Sequence, residues 1–244
     1  MAAVPERAAA AAADLGIALG RLNGASAPFP LWLVTVNTLA CGAAEEVLSW
    51  SDRARADRFH DNWLRNRFVS AHCALRLILE DRFGIPAAAQ NFEVGRFGKP
   101  RLRGMARAQF SLSYSGDRVL IGVASDMPVG VDIERVRSIA DSRQLIPALC
   151  TDCEKAALDR SSPDGDSFDL LFLEMWTRKE ACVKAAGVGL GQVRLAEIES
   201  GAGGGLTTVR DGVCQLRTDT TRVAYGYVAA WAVRSVSVSY RQGA

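Results

Sequence analysis

The stretch "VGVDIERV", residues 129–136, alternates apolar and polar side chains and sets Asp132 and Glu134 two residues apart. A β-strand turns residues at that spacing to one face, so the pattern predicts a strand carrying two like-charged carboxylates side by side. On a solvent-facing strand edge, water alone can partner such a pair. The alternative is a bound cation, and two hard oxygen ligands on one rigid strand suit Mg²⁺ or Ca²⁺.

A third carboxylate comes from "WTRKEACVKAAG", residues 176–187. Helical periodicity puts Trp176, Glu180 and Lys184 on one stripe that continues back to Phe172. Glu180 and Lys184 alone read as an ordinary exposed i,i+4 ion pair. The aromatic residues on the same stripe argue instead for a face turned to the interior or to a cleft, where an acid and an amine need specific partners.

Around these segments the chain states one plan twice. In the first half "LWLVTV" is a strand candidate. "SWSDRARADRF" opens a helix with Ser51 or Asp52 near its cap, and "NWLRNRFVSAHCALRLILEDRFG" is a long amphipathic helix ended by Gly84. "QFSLSYS" and "RVLIGVAS" follow, joined at Gly116-Asp117 as a hairpin would be. The second half repeats the order: the 129–136 strand, a helix at Thr151 with capping-box spacing to Glu154, a long helix stopped at Gly187, then strands in "GLTTVRDGVCQLRT" and "VAYGYVAAWAV". The expected fold is therefore α+β, pseudo-twofold, with an active site between two similar halves. The boundaries read as an Ala-rich extension over 1–24, frayed or disordered, a first half over 25–127 and a second over 128–244.

With 244 residues and 49% hydrophobic content, the chain can bury a sizeable core. A net charge of +2 gives no reason to expect a dedicated nucleic-acid or membrane protein. The charge is uneven, however: between Ser51 and Arg107 twelve basic residues face six acidic ones, which suits an anionic ligand. Six scattered cysteines and two histidines leave little for a zinc site, a disulfide framework or a Ser/His/Asp triad, and Cys150-Thr-Asp-Cys153 lacks the partners of a metal or redox motif. "GVGLG" at 187–191 and "GAGGG" at 201–205 lack the context of phosphate-binding loops and read as turns. No stretch approaches a membrane span and the N-terminus makes a poor signal peptide, so the cytoplasm is the expected compartment.

Taken in order, "FGKPRL", "FSLSYSGDRV", "GVDIERV" and, forty residues on, "WTRKEACVKAAGVGL" closely resemble the four motifs of Sfp-type 4′-phosphopantetheinyl transferases. The resemblance implies a fold of two similar α+β halves with coenzyme A between them, and transfer of the phosphopantetheine arm to a serine of an apo acyl or peptidyl carrier protein. By matching positions it implies Asp132, Glu134 and Glu180 as ligands of Mg²⁺, or Mn²⁺, with Glu180 and Lys184 catalytic. It likewise implies that Arg55, Arg67, Lys99, Ser113, Tyr114, Lys179 and Lys184 bind coenzyme A, with Trp176 packing. The family usually has histidine where Tyr114 stands. A phenol can donate to a phosphate oxygen but brings no charge, which leaves Arg67 as the candidate to compensate. Residues 138–149 are the candidate surface for a carrier helix, and a monomer is expected. Two other readings stay open at this stage: a metal-dependent phosphohydrolase or nuclease using the same acids, and a non-catalytic module that binds carrier or coenzyme A.

Overall fold

The computed structural model describes residues 6–36, 42–139, 142–161, 166–189, 191, 193–200, 205–209, 214–223 and 226–234. Most of the 201–205 glycine run therefore lies outside the described residues. Two four-stranded antiparallel sheets form the frame. The first, in the order β1-β2-β6-β5, contains β1 (Ala18–Arg21), β2 (Leu31–Thr35), β5 (Ala108–Ser115) and β6 (Arg118–Ser125). The second, in the order β7-β10-β9-β8, contains β7 (Val129–Arg135), β8 (Gly205–Val209), β9 (Cys214–Val223) and β10 (Tyr227–Arg234). A two-stranded ribbon, β3 (Phe92–Val94) with β4 (Pro100–Leu102), stands apart from both.

Strand alternation explains the layering. In β6, Val119, Ile121 and Val123 join α4 (Asn62–Phe83) in one core, while Leu120 and Ala124 belong to a second core with Val131 and Ile133 of β7 and Trp231 of β10. The two sheets thus face each other across that second core. On the far side of the second sheet, Ala230 and Ala232 of β10 meet Ala181 and Ala185 of α7 (Asp166–Ala186). The result is a helix, two sheets and a helix in four layers. The near-continuous apolar runs of β6 and β10 follow from burial on both faces.

Local chemistry sets the ends of the elements. Gly84 in the left-handed region (φ 71°) ends α4, as the sequence predicts. Residues 68–79 of α4 are buried almost all round, Arg76 included, so the helix is a core element where a one-sided amphipathic one was expected. The cap of α3 (Trp50–Ala56) is Ser49, whose hydroxyl accepts from Asp52 N, and neither Ser51 nor Asp52 fills that role. Thr151 and Glu154 do form the expected capping box at the start of α6 (Asp152–Arg160). Gly116-Asp117 is the two-residue loop of the β5–β6 hairpin.

The N-terminal segment departs from expectation. Residues 6–14 form helix α1 (Glu6–Asp14), with Ala8 and Ala12 buried in the first core, and β1 pairs with β2. Alanine's small side chain lets α1 lie close on α4, so the composition that reads as a frayed tail marks tight packing.

Candidate active site

Two sheet edges meet at the site. β5 and β7 are edge strands of different sheets, and hydroxyls replace the missing ladder between them. Ser111, Ser113 and Ser115 alternate along β5 and so point the same way. Ser111 Oγ accepts from Val131 N at 3.1 Å, and Ser115 Oγ accepts from Arg135 N at 3.0 Å. Ser115 Oγ also donates to Glu134 at 3.0 Å, and Ser113 Oγ donates to Asp132 Oδ1 at 2.6 Å.

On its other face β7 lies directly on α7. A Cβ built on Gly130 would collide with the backbone of Ala181 and Ala185, so only glycine allows this approach. The close contact brings Lys184 Nζ to 2.7 Å from Asp132 Oδ1 and 3.1 Å from Ser113 Oγ. Lys184 therefore pairs across to the strand, which displaces the simple Glu180–Lys184 helix pair as its reading.

Burial pushes Glu180 up to about 7; Asp132 and Glu134 add to the rise and Lys184 opposes it. Asp132 is raised by burial against the pull of Lys184 and Ser113, and Glu134 by burial against Ser115. Asp132 Oδ2 is buried and has no hydrogen-bond partner. An orphaned carboxylate oxygen beside two more carboxylates fits a hard divalent cation. Among the described residues, no group of three His, Cys, Asp or Glu side chains is drawn together as a metal cage. The electrostatic coupling and the orphan oxygen are what support the fit.

Beside this cluster opens a cavity of about 540 Å³. Arg55, Arg58, Lys99 and Lys184 line it against one carboxylate, Asp52. Phe92, Val94, Phe97 and Leu112 give it an apolar wall. Such a space takes an anionic ligand with a flat apolar portion. Tyr114 is at the wall. Burial pushes its phenol up to about 12, with Arg55 and Arg67 pulling it down and Asp52 raising it further. The Arg67 guanidinium lies 4.8 Å from the Trp63 ring centroid and 5.6 Å from that of Tyr114, so two rings hold it in place.

Three residues sit differently from the sequence expectation. Ser113 hydrogen-bonds within the acid cluster, to Asp132 and Lys184. Lys99 lines the cavity, but its ammonium donates to the Val129 and Lys184 carbonyls. Lys179 is buried on another side of α7, where it pairs with Glu154 at 2.5 Å and donates to the Leu149 and Leu195 carbonyls. It is a packing ion pair and does not reach the cavity. The residues that sequence reasoning missed are the cavity-lining Asp52, Arg58 and His72 and the hydroxyls of Ser111 and Ser115. Three serines alternating on one strand were the signal for the last two.

Residues 128–231 match the family described as the 4′-phosphopantetheinyl transferase superfamily. Over that segment the chain resembles the members of that superfamily, and the resemblance extends to individual transferases. It is 34% identical over 155 residues to the 4′-phosphopantetheinyl transferase HetI of a Nostoc species, a match covering 62% of this chain and 64% of that one. Similarity to a 4′-phosphopantetheinyl transferase of Bacillus pumilus is 30% over 145 residues, 59% of each chain. Against the 4′-phosphopantetheinyl transferase AcpT of Escherichia coli K12 it is 38% over 93 residues, 38% of this chain and 47% of the other. The chain thus spans less than two thirds of the length of these relatives. The segment matching the superfamily contains Asp132, Glu134, Glu180 and Lys184; Arg55, Arg67, Lys99, Ser113 and Tyr114 lie before it. The mixed α/β architecture is consistent with the superfamily's fold, and no described helix is long and apolar enough to cross a membrane.

Proposed function

We propose that this protein is a 4′-phosphopantetheinyl transferase, moving the phosphopantetheine arm of coenzyme A to a serine of an apo acyl or peptidyl carrier protein and releasing adenosine 3′,5′-bisphosphate. The observation that carries this reading is the double placement of Lys184, which lines the cationic cavity and also sits on Asp132 in the acid cluster. An anionic nucleotide held against Arg55 and Arg58 would bring its pyrophosphate to the acids, with its base against the apolar wall. Arg55, Arg67 and Tyr114 are the candidates for the 3′-phosphate, which a guanidinium can grip with two parallel hydrogen bonds.

Asp132, Glu134 and Glu180 would hold Mg²⁺, or Mn²⁺, which when bound neutralises charge on phosphoryl oxygens. The chain's own groups do the rest. The carrier serine Oγ forms a bond to the phosphorus that bears the pantetheine arm, and the bond from that phosphorus to the bridging oxygen breaks. The electron pair leaves on adenosine 3′,5′-bisphosphate. Glu180 receives the serine proton, directly or through a water, from its place beside Asp132 and Glu134. The Lys184 ammonium stabilises the charge that builds as the leaving group departs.

We further read residues 25–127 and 128–244 as related halves, because each carries one long helix on the outer face of an antiparallel sheet, the first sheet taking its edge strand β1 from before residue 25. Leu145, exposed on α5 (Ser142–Leu149), marks the face assigned to the carrier helix. A monomeric, cytoplasmic enzyme fits this scheme. The test is release of adenosine 3′,5′-bisphosphate from coenzyme A. Release in step with the amount of apo carrier supports transfer, whereas release without any carrier points to a phosphohydrolase.

A further inference from the structure

The last carbonyls of a helix have no partner within it, and a buried one must find another donor. In the final turn of α7, Gly187 N donates to Val183 O at 3.1 Å. The next carbonyl, that of Lys184, accepts instead from Lys99 Nζ at 2.8 Å. The same ammonium donates to Val129 O at 2.7 Å. Val129 shares its strand parity with Val131 and Arg135, whose N–H groups turn away from β10 toward the serines of β5. Its carbonyl is therefore on the open edge of β7, with no ladder to satisfy it.

One amine, supplied by the residue before β4, thus closes a backbone group on each of the two elements that carry the acid cluster. Lys184 is held at both ends: its carbonyl by Lys99 and its ammonium by Ser113 and Asp132. Burial, with a smaller contribution from Arg101, pulls the Lys99 amine down to about 8, so desolvation works against its charge while the two carbonyls favour it.

We propose that Lys99 is a positioning residue, which fixes the last turn of α7 against the start of β7 and thereby holds Lys184 on Asp132. Its effect on catalysis rests on the transfer reaction proposed above, whereas its effect on α7 does not. Lys99 acts through the backbone of Lys184 and is distinct in role from a phosphate ligand, which would act on affinity.

The test uses the full chain, as wild type and as Lys99→Met, in two measurements. Hydrogen exchange read by mass spectrometry is expected to speed up about tenfold in the peptide covering residues 183–188, with α4 unchanged. Steady-state transfer is expected to lose about tenfold in kcat while KM for coenzyme A stays within about twofold. Unchanged exchange in α7, or a tenfold rise in KM at constant kcat, overturns the proposal and makes Lys99 a direct ligand of the substrate. If wild type transfers nothing, the exchange comparison still decides the tie to α7 and only the reaction falls. Should Lys99→Met not fold, Lys99→Gln, which keeps a donor, is expected to shift both readouts in the same direction by less.

Discussion

Lys184 Nζ lies 2.7 Å from Asp132 Oδ1, an ion pair joining the last turn of α7 to the edge strand β7. Both ends of the pair are served by Ser113, which donates to the carboxylate and accepts from the ammonium. Lys184→Ala is expected to lower kcat for carrier modification about 100-fold, the scale of losing one positioned donor at a developing negative charge. Steady-state kinetics checks this, and a loss below about threefold would remove Lys184 from the chemistry.

Glu180 offers a direct test of the proposed metal site. Its carboxyl, pushed up to about 7, is partly protonated at neutral pH, and a divalent cation must displace that proton to bind. Adding Mg²⁺ to weakly buffered protein at pH 7 is expected to release about half a proton per chain, more at pH 6 and almost none at pH 9. Glu180→Gln is expected to abolish the release. A release of equal size from that variant would assign the proton elsewhere.

Gly130 reports on the contact between β7 and α7. Its Cβ position is filled by the backbone of Ala181 and Ala185, so Gly130→Ala must push strand and helix apart. Overpacking of this kind is expected to cost about 3 kcal/mol in urea unfolding, and to reduce activity even where the protein remains folded. Unaltered stability would mean that the two elements are less tightly apposed.

Beneath the cavity, Arg76 donates through Nε and Nη2 to Asp52 and through Nη1 to the carbonyls of Ala87 at 2.6 Å and Gln90 at 2.8 Å. Burial raises the Asp52 carboxyl, but His72 and Arg76 outweigh it and hold the group well below the usual carboxylate range. Because the folded-state pKa is depressed, this contribution to stability is fully present above the unfolded value near 4 and is lost as pH falls below it. Arg76→Met strands the buried carboxylate and is expected to cost about 3–5 kcal/mol at pH 7, with a smaller deficit near pH 2. Denaturant unfolding at both pH values checks the sign.

Much of this was legible in the sequence because it depends on local periodicity. The alternation of 129–136, the helical stripe through Trp176, Glu180 and Lys184, and the glycine stops at 84 and 187 each predict an element that forms. What stayed hidden depends on distant partners. Lys99 reads as a coenzyme A ligand, and nothing in the sequence shows that its ammonium donates to the Lys184 and Val129 carbonyls. Lys179 stands next to Glu180 in sequence, but a helix turns adjacent residues about 100° apart, so the two side chains serve different surroundings. Alanines 8–13 gave no periodic signal because a small side chain suits close packing and solvent alike, and burial of Ala8 and Ala12 depends on α4.

The most direct test of the central claim is the intact mass of an apo carrier protein after incubation with this protein, coenzyme A and Mg²⁺. The account predicts a gain of about 340 Da, the mass of the phosphopantetheine arm, on one serine, absent with EDTA and absent with Glu180→Gln. An unchanged mass across several apo carriers, from a protein that binds coenzyme A, would contradict it.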